Sequence, residues 1–209
     1  NYLVNSIDTA MKTRFISVEM KWHAERWAEW AEQDGVDSRA INFVLLNPEI
    51  VNEKVNPRAL TMFFNSISSF TDFDANLPMI QMIGEGSVGP EAATLFTTFI
   101  NNRLDQLPTP KSMFLDDESK VSFSMKSVIL QNGQYRTDIA SVLLTRLINY
   151  ATLYAAEKPI EQKHIDRLIF LVNDPEIFTE DLKYHLVKKM INANKQKFIR
   201  DWIGTEISI

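Results

Sequence analysis

Apolar residues recur at helical spacing along most of this chain. In HAERWAEWAEQDG, Trp27, Trp30 and Ala31 stand at i, i+3 and i+4, and Gly35 supplies a stop. DSRAINFVLLNPE follows, with Asp37 or Ser38 as N-cap, a helix through Leu46 and an end before Pro48. A third helix opens in NEKVNPRALTMFFNSI, where Asn56 fits the N-cap and Pro57 the first helical position, and it runs to about Phe70. LPMIQMIGEGSVG predicts a turn-rich connection after a short apolar run, and GPEAATLFTTFINNRL another amphipathic helix with Pro90 at its start.

The prolines of LPTPKSMFLDDESKV predict a boundary near residues 108–120. Beyond it, three segments read as helices. TDIASVLLTRLINYATLYAAE has Thr137 or Asp138 as cap, with Leu143, Leu144, Leu147 and Ile148 in its apolar stripe. IEQKHIDRLIFLVND follows. FTEDLKYHLVKKMINANKQKFIRDWIG then starts at Thr179 or Asp181. At the other end, SIDTAMKTRF predicts a brief helix to about Arg14, and FISVEM alternates as a single short strand. One strand is not a sheet, so its partners are expected in other sequence. The fold class expected is mainly α: one short N-terminal strand, a helical bundle, then a second helical bundle. The chain opens on Asn1 rather than Met, which suggests a fragment or a processed product.

Composition narrows the chemistry. The 209 residues are 45% hydrophobic and 23% charged, with a net charge of −5, so no basic field advertises nucleic acid, and none is expected as a partner. No apolar run reaches the roughly 18–20 residues that span a bilayer, and no membrane partner is expected. There is no cysteine, which removes disulfides and thiolate metal sites and is compatible with a cytoplasmic setting. His23, His164 and His185 are scattered without i, i+4 pairing, so no zinc site is expected. GEGSVG, Gly84 to Gly89, formally matches a dinucleotide fingerprint, but Glu85 would repel a pyrophosphate and no βαβ unit surrounds it, so it reads as a flexible turn. Acidic LDDES, Asp116 to Ser119, reads as a solvated loop. The basic residues Lys183, Lys188, Lys189, Lys195, Lys197 and Arg200 read as a solvated helix face.

One residue sits against its surroundings. Arg58 places a cation in the first turn of a helix, against the positive end of the dipole. Two readings are open. It is a surface arginine paired with a carboxylate such as Glu53, or it is an anion sensor whose forked donor joins the free N–H groups of the helix start.

The order SIDTAMKTRFISVEM, ERWAEWAEQDGVDSRAINFVLLNPEIV and NPRALTMFFNSIS resembles the C-terminal part of AAA+ ATPases of the MoxR type. The likeness covers roughly residues 1–110. It implies that residues 1–20 are a remnant of the AAA+ core, 21–110 a helical lid domain and 111–209 a C-terminal helical domain. It implies that Arg58, with Asn56 and Pro57, is the sensor-2 site that meets nucleotide phosphates. It implies that Arg14 is a candidate arginine finger, though Lys12 and Thr13 precede it where the family has Leu and Asp. ATP and Mg would be the cofactors, held with a core domain that precedes residue 1, and a homo-oligomer acting on a protein client is expected. No G-x-x-x-x-G-K-[ST] occurs in this chain, so alone it should not hydrolyse ATP. The alternative is a non-catalytic helical adaptor or oligomerisation module.

Overall fold

The computed structural model describes residues 14, 16, 21–52, 54–131 and 133–192, of which the side chains are described to residue 186. Among these residues the chain is mainly α, as its periodicity predicts, with ten α-helices and one two-stranded ribbon. The expected short N-terminal helix and the strand at FISVEM lie outside the described residues, apart from Arg14 and Ile16, both exposed.

The first bundle contains α1 (Ala24–Asp34), α2 (Ser38–Leu46), α3 (Pro57–Ile67), α4 (Leu77–Val88) and α5 (Pro90–Asn101), with a 3-10 turn at Pro48–Ile50. Its ends follow local chemistry. Gly35 adopts φ 73° and ends α1, while the Asp37 carboxylate accepts from the Arg39 N–H and starts α2. The core is aromatic. Phe43 meets Phe96 edge-on at 4.9 Å, and Phe64 and Phe99 close around them. The tryptophans divide: Trp27 is buried, Trp30 is 43% exposed, and half-buried Trp22 donates its indole N–H to the Pro48 carbonyl.

The segment expected as a turn-rich connection is helix α4. Ile80, Gly84 and Val88, four residues apart, form its buried stripe. Gly84 therefore serves close packing rather than flexibility: a Cβ built there would lie 2.9 Å from the Ala93 Cβ and 3.3 Å from the Phe63 ring. The turn is confined to Gly89, at φ 88°, which joins α4 to α5.

The second bundle follows a 3-10 turn at Leu104–Gln106 and contains α6 (Pro110–Leu115), α7 (Glu118–Ile129), α8 (Thr137–Glu157), α9 (Gln162–Asn173) and α10 (Glu180–Asn192). The proline-marked stretch near 108–120 is thus partly helical. Thr109 caps α6, and Asp117, expected in a solvated loop, caps α7 by accepting from Ser119 and Lys120 N–H groups. An antiparallel ribbon, β1 (Leu130–Gln131) and β2 (Gln134–Tyr135), separates α7 from α8. It ends so close to α8 that Arg136, and neither Thr137 nor Asp138, occupies the N-cap; the Arg136 N–H closes on the Ile129 carbonyl at 2.8 Å. Helix α8 has the length and mean hydropathy to cross a membrane, although no apolar run of that length was expected. In the fold it is the central core helix, with Ile139, Leu143, Leu147 and Ala151 buried.

His164 sits at the start of α9. Its Nδ1 accepts from the Glu161 N–H at 3.1 Å, and its ring lies 5.2 Å from both Phe114 and Tyr154. Burial first, then the nearby Lys163, lowers its pKa below the ordinary 6.5.

The apolar cores are two clusters, one drawn from residues 24–100 and one from residues 107–186, and half-buried Leu46 and Leu104 touch both. Between them, α8 meets α1 and α2 through Arg146, which is 1% exposed. Its Nε donates to Glu32 at 2.8 Å, and its Nη1 donates to the Ser38 carbonyl, the Ser38 Oγ at 2.8 Å and the Asn42 Oδ1 at 2.6 Å.

Two stability outcomes follow from this packing. Gly84→Ala is expected to destabilise by about 1–2 kcal/mol, because overpacking outweighs the gain in helix propensity, whereas open, exposed Gly86→Ala should stabilise by about 0.5–1 kcal/mol; urea titration of both checks the contrast. For His164, the unfolded chain binds a proton more readily than the folded one, so stability is full above pH 6.5 and falls as pH drops below it. His164→Gln keeps the capping acceptor and should flatten this acid response in melts recorded across that range.

Candidate functional site

The N-terminus of α3 is built by its own loop. Asn52 turns the chain by accepting from the Lys54 and Val55 N–H groups at 2.9 and 3.1 Å, and Val55 is buried as an anchor. Asn56, at φ −94° and ψ 159°, accepts from the Ala59 N–H at 2.9 Å. Pro57 has no N–H, so the backbone N–H of Arg58 is the open donor of the first helical turn. The Arg58 side chain is exposed and has no hydrogen bond or ion pair with another described residue. The pairing with Glu53 considered above lies outside the described residues. Lys54, four residues earlier, pairs with Glu91 of α5 at 3.2 Å.

Helix α2 holds an arginine in the same position in a different way. Arg39 is also the second residue of its helix, but its cap is Asp37 rather than an asparagine. The Asp37 carboxylate takes both Arg39 Nε and Nη2, the latter at 2.6 Å. The same guanidinium donates to the Phe70 carbonyl and stacks 3.6 Å above the Phe73 ring. Burial raises the Asp37 pKa, but the Arg39 hydrogen bonds and charge, with Arg146 beyond, outweigh it, and the net shift is downward. Position two of α2 is thus neutralised and built in. Position two of α3, with a neutral cap, leaves an oriented helix start beside a guanidinium that is unpaired among the described residues, a combination suited to an oxyanion.

A separate cleft of about 520 Å³ is lined by Arg39, Thr71, Asp72, Phe73, Asp74, Arg103, Asp105 and Gln106. Its charges are mostly compensated internally. Arg103, in the left-handed region at φ 59°, pairs with Asp74. Asp105 is the exception: its Oδ1 is buried without a hydrogen-bond partner. Burial raises its pKa, against the opposing pull of its own backbone N–H and of the Arg39 and Arg103 charges. Among the described residues no group of three or more His, Cys, Asp or Glu is arranged to hold a metal ion.

The predicted site residues Asn56, Pro57 and Arg58 therefore form one local unit, and Arg14 is a separate exposed residue in a turn. Of the basic C-terminal residues, Lys183 is not a solvated face but 5% exposed and paired with Glu180 at 2.8 Å. Sequence reasoning missed the Arg39 cleft, because its residues come from three separated segments. No family model, curated protein or solved structure matches the chain.

Asp105 supplies a pH test. The folded carboxyl holds its proton to higher pH than the unfolded one, so ionisation costs stability as pH rises above the ordinary 3.8. Asp105→Asn should raise the melting temperature at neutral pH, with the gain disappearing once both states are protonated, at about pH 3.

Proposed function

We propose that this chain is the lid and C-terminal helical region of an AAA+ ATPase resembling the MoxR type, with Arg58 as the residue that senses bound ATP. One observation carries the reading. Arg58 is exposed and, among the described residues, unpaired at a capped helix start, while the equivalent arginine of α2 is neutralised by its own cap. In this reading a core domain holds ATP and Mg, and the γ-phosphate draws Arg58 and the lid over the nucleotide. Hydrolysis weakens that contact and releases the lid. Arg14 is the candidate finger toward a neighbouring subunit of a homo-oligomer, and the swing of the lid acts on a protein client in the cytoplasm.

The size of the effect follows from one charge-assisted contact. It supplies about 1.5–3 kcal/mol, a shift of roughly ten- to a hundredfold between open and closed lids. In the ATPase with its core domain, Arg58→Ala is expected to lower turnover by about that factor, and Arg58→Lys to recover only part of it. Because Arg58 is exposed, circular dichroism should show an unchanged fold. Unchanged turnover in Arg58→Ala would remove the assignment.

A second reading, a non-catalytic helical adaptor, draws on the exposed aromatics of the second bundle, with Phe123 77%, Tyr184 55% and Phe170 43% exposed. It needs no nucleotide. Mass measurements with and without an ATP analogue, on the chain alone and joined to a core, separate the two.

A further inference from the structure

We infer that Arg146 locks the two bundles into one rigid lever, so that movement of the α3 end is transmitted to the second bundle without loss at the joint. The network has an asymmetry that a mere core-filling residue would lack. Arg146 belongs to α8 of the second bundle, yet among the described residues every acceptor of its guanidinium hydrogen bonds lies on α1 or α2 of the first: Glu32, Ser38 twice and Asn42. The donor is 1% exposed and Asn42 is 1% exposed, while the Glu32 side chain is 11% exposed, so water competes poorly for these bonds.

A planar guanidinium with bonds in several directions fixes angle as well as distance, which apolar contact does not. Leu46 and Leu104, half-buried against both cores, flank the joint and supply adhesion without direction. Sliding or tilting one bundle on the other would strand a buried cation and a buried amide together. The joint therefore has one low-energy orientation. The transmission of nucleotide state to the second bundle rests on the lid reading given above; the rigidity of the joint does not.

The chain contains no cysteine, so introduced cysteines label cleanly. Ser66→Cys on α3 and Lys120→Cys on α7, both exposed, report the inter-bundle distance by pulsed electron resonance of attached nitroxides. Ser66→Cys with Asn101→Cys reports within the first bundle alone. Without any nucleotide, the native protein should give narrow distributions for both pairs. In Arg146→Met the inter-bundle distribution should become about twice as broad while the other pair keeps its width. Glu32→Gln, which preserves shape and removes charge, should broaden the same pair in the same direction by a smaller amount. A broad inter-bundle distribution in the native protein overturns the inference. So does an unchanged one in both variants. Broadening of both pairs also overturns it, since Arg146 would then support the first bundle rather than the joint. Because no ATP enters the measurement, its failure is distinct from failure of the sensor assignment.

Discussion

A single buried guanidinium holds this molecule in one shape. Removing a charge from water is expensive, and the cost is offset only where geometry satisfies the group fully. The Nε and Nη1 donors of Arg146 find their acceptors across the boundary between bundles rather than within its own, on Glu32, Ser38 and Asn42. The two cores could each bury their aliphatic and aromatic residues in many relative orientations. The directional bonds select one of them, as buried polar groups do when they fix register at a stability cost. Helices α1 and α2 are thereby committed twice, to the aromatic core of the first bundle on one side and to α8 on the other.

The same economy of charge distinguishes the two arginines at helix starts. Arg39 is stitched by Asp37, by the Phe70 carbonyl and by the face of Phe73, and it holds the loop after α3 against α2. Among the described residues Arg58 has none of this. A helix whose first turn carries an unpaired cation tolerates an unfavourable dipole interaction of about 0.3–1 kcal/mol. In the proposed reading that small cost makes the position responsive, because an anion arriving there would relieve it and gain the open N–H at once. The α2–α3 comparison shows that the fold neutralises such an arginine at Arg39 with its own cap residue.

Much of the local structure was legible in the residues themselves. Gly35, Asp37, Asn56, Pro57 and Pro90 mark helix ends by their own backbone and side-chain chemistry, and each lies where that chemistry places it. The exposed cation at Arg58 was legible for the same reason, since a charge on the wrong end of a dipole is visible from two adjacent residues. Gly84 was not. Glycine near a second glycine signals a turn in isolation, and only the approach of Ala93 and Phe63 makes its missing side chain a packing requirement. The ribbon at residues 130–135 had a usable signal in Asn132-Gly133, the dipeptide that favours tight hairpins, yet its strands are too short to show alternation.

Periodicity, caps and prolines by themselves determined that this chain is mainly helical, where several of its helices begin or stop, and which arginine opposes its dipole. These are properties of a few neighbouring residues, set by hydrogen bonds and sterics within one turn. Tertiary structure alone decided that Arg146 belongs to the first bundle as much as to the second, that α4 is a helix pressed against α5, and that Arg39, Asp74, Arg103 and Asp105 line a common cleft. The acceptors of Arg146 are 104 to 114 positions away, and the cleft joins segments 29 to 32 positions apart. No local pattern encodes which distant carboxylate or carbonyl will satisfy a buried donor; that is settled only when the cores close around it.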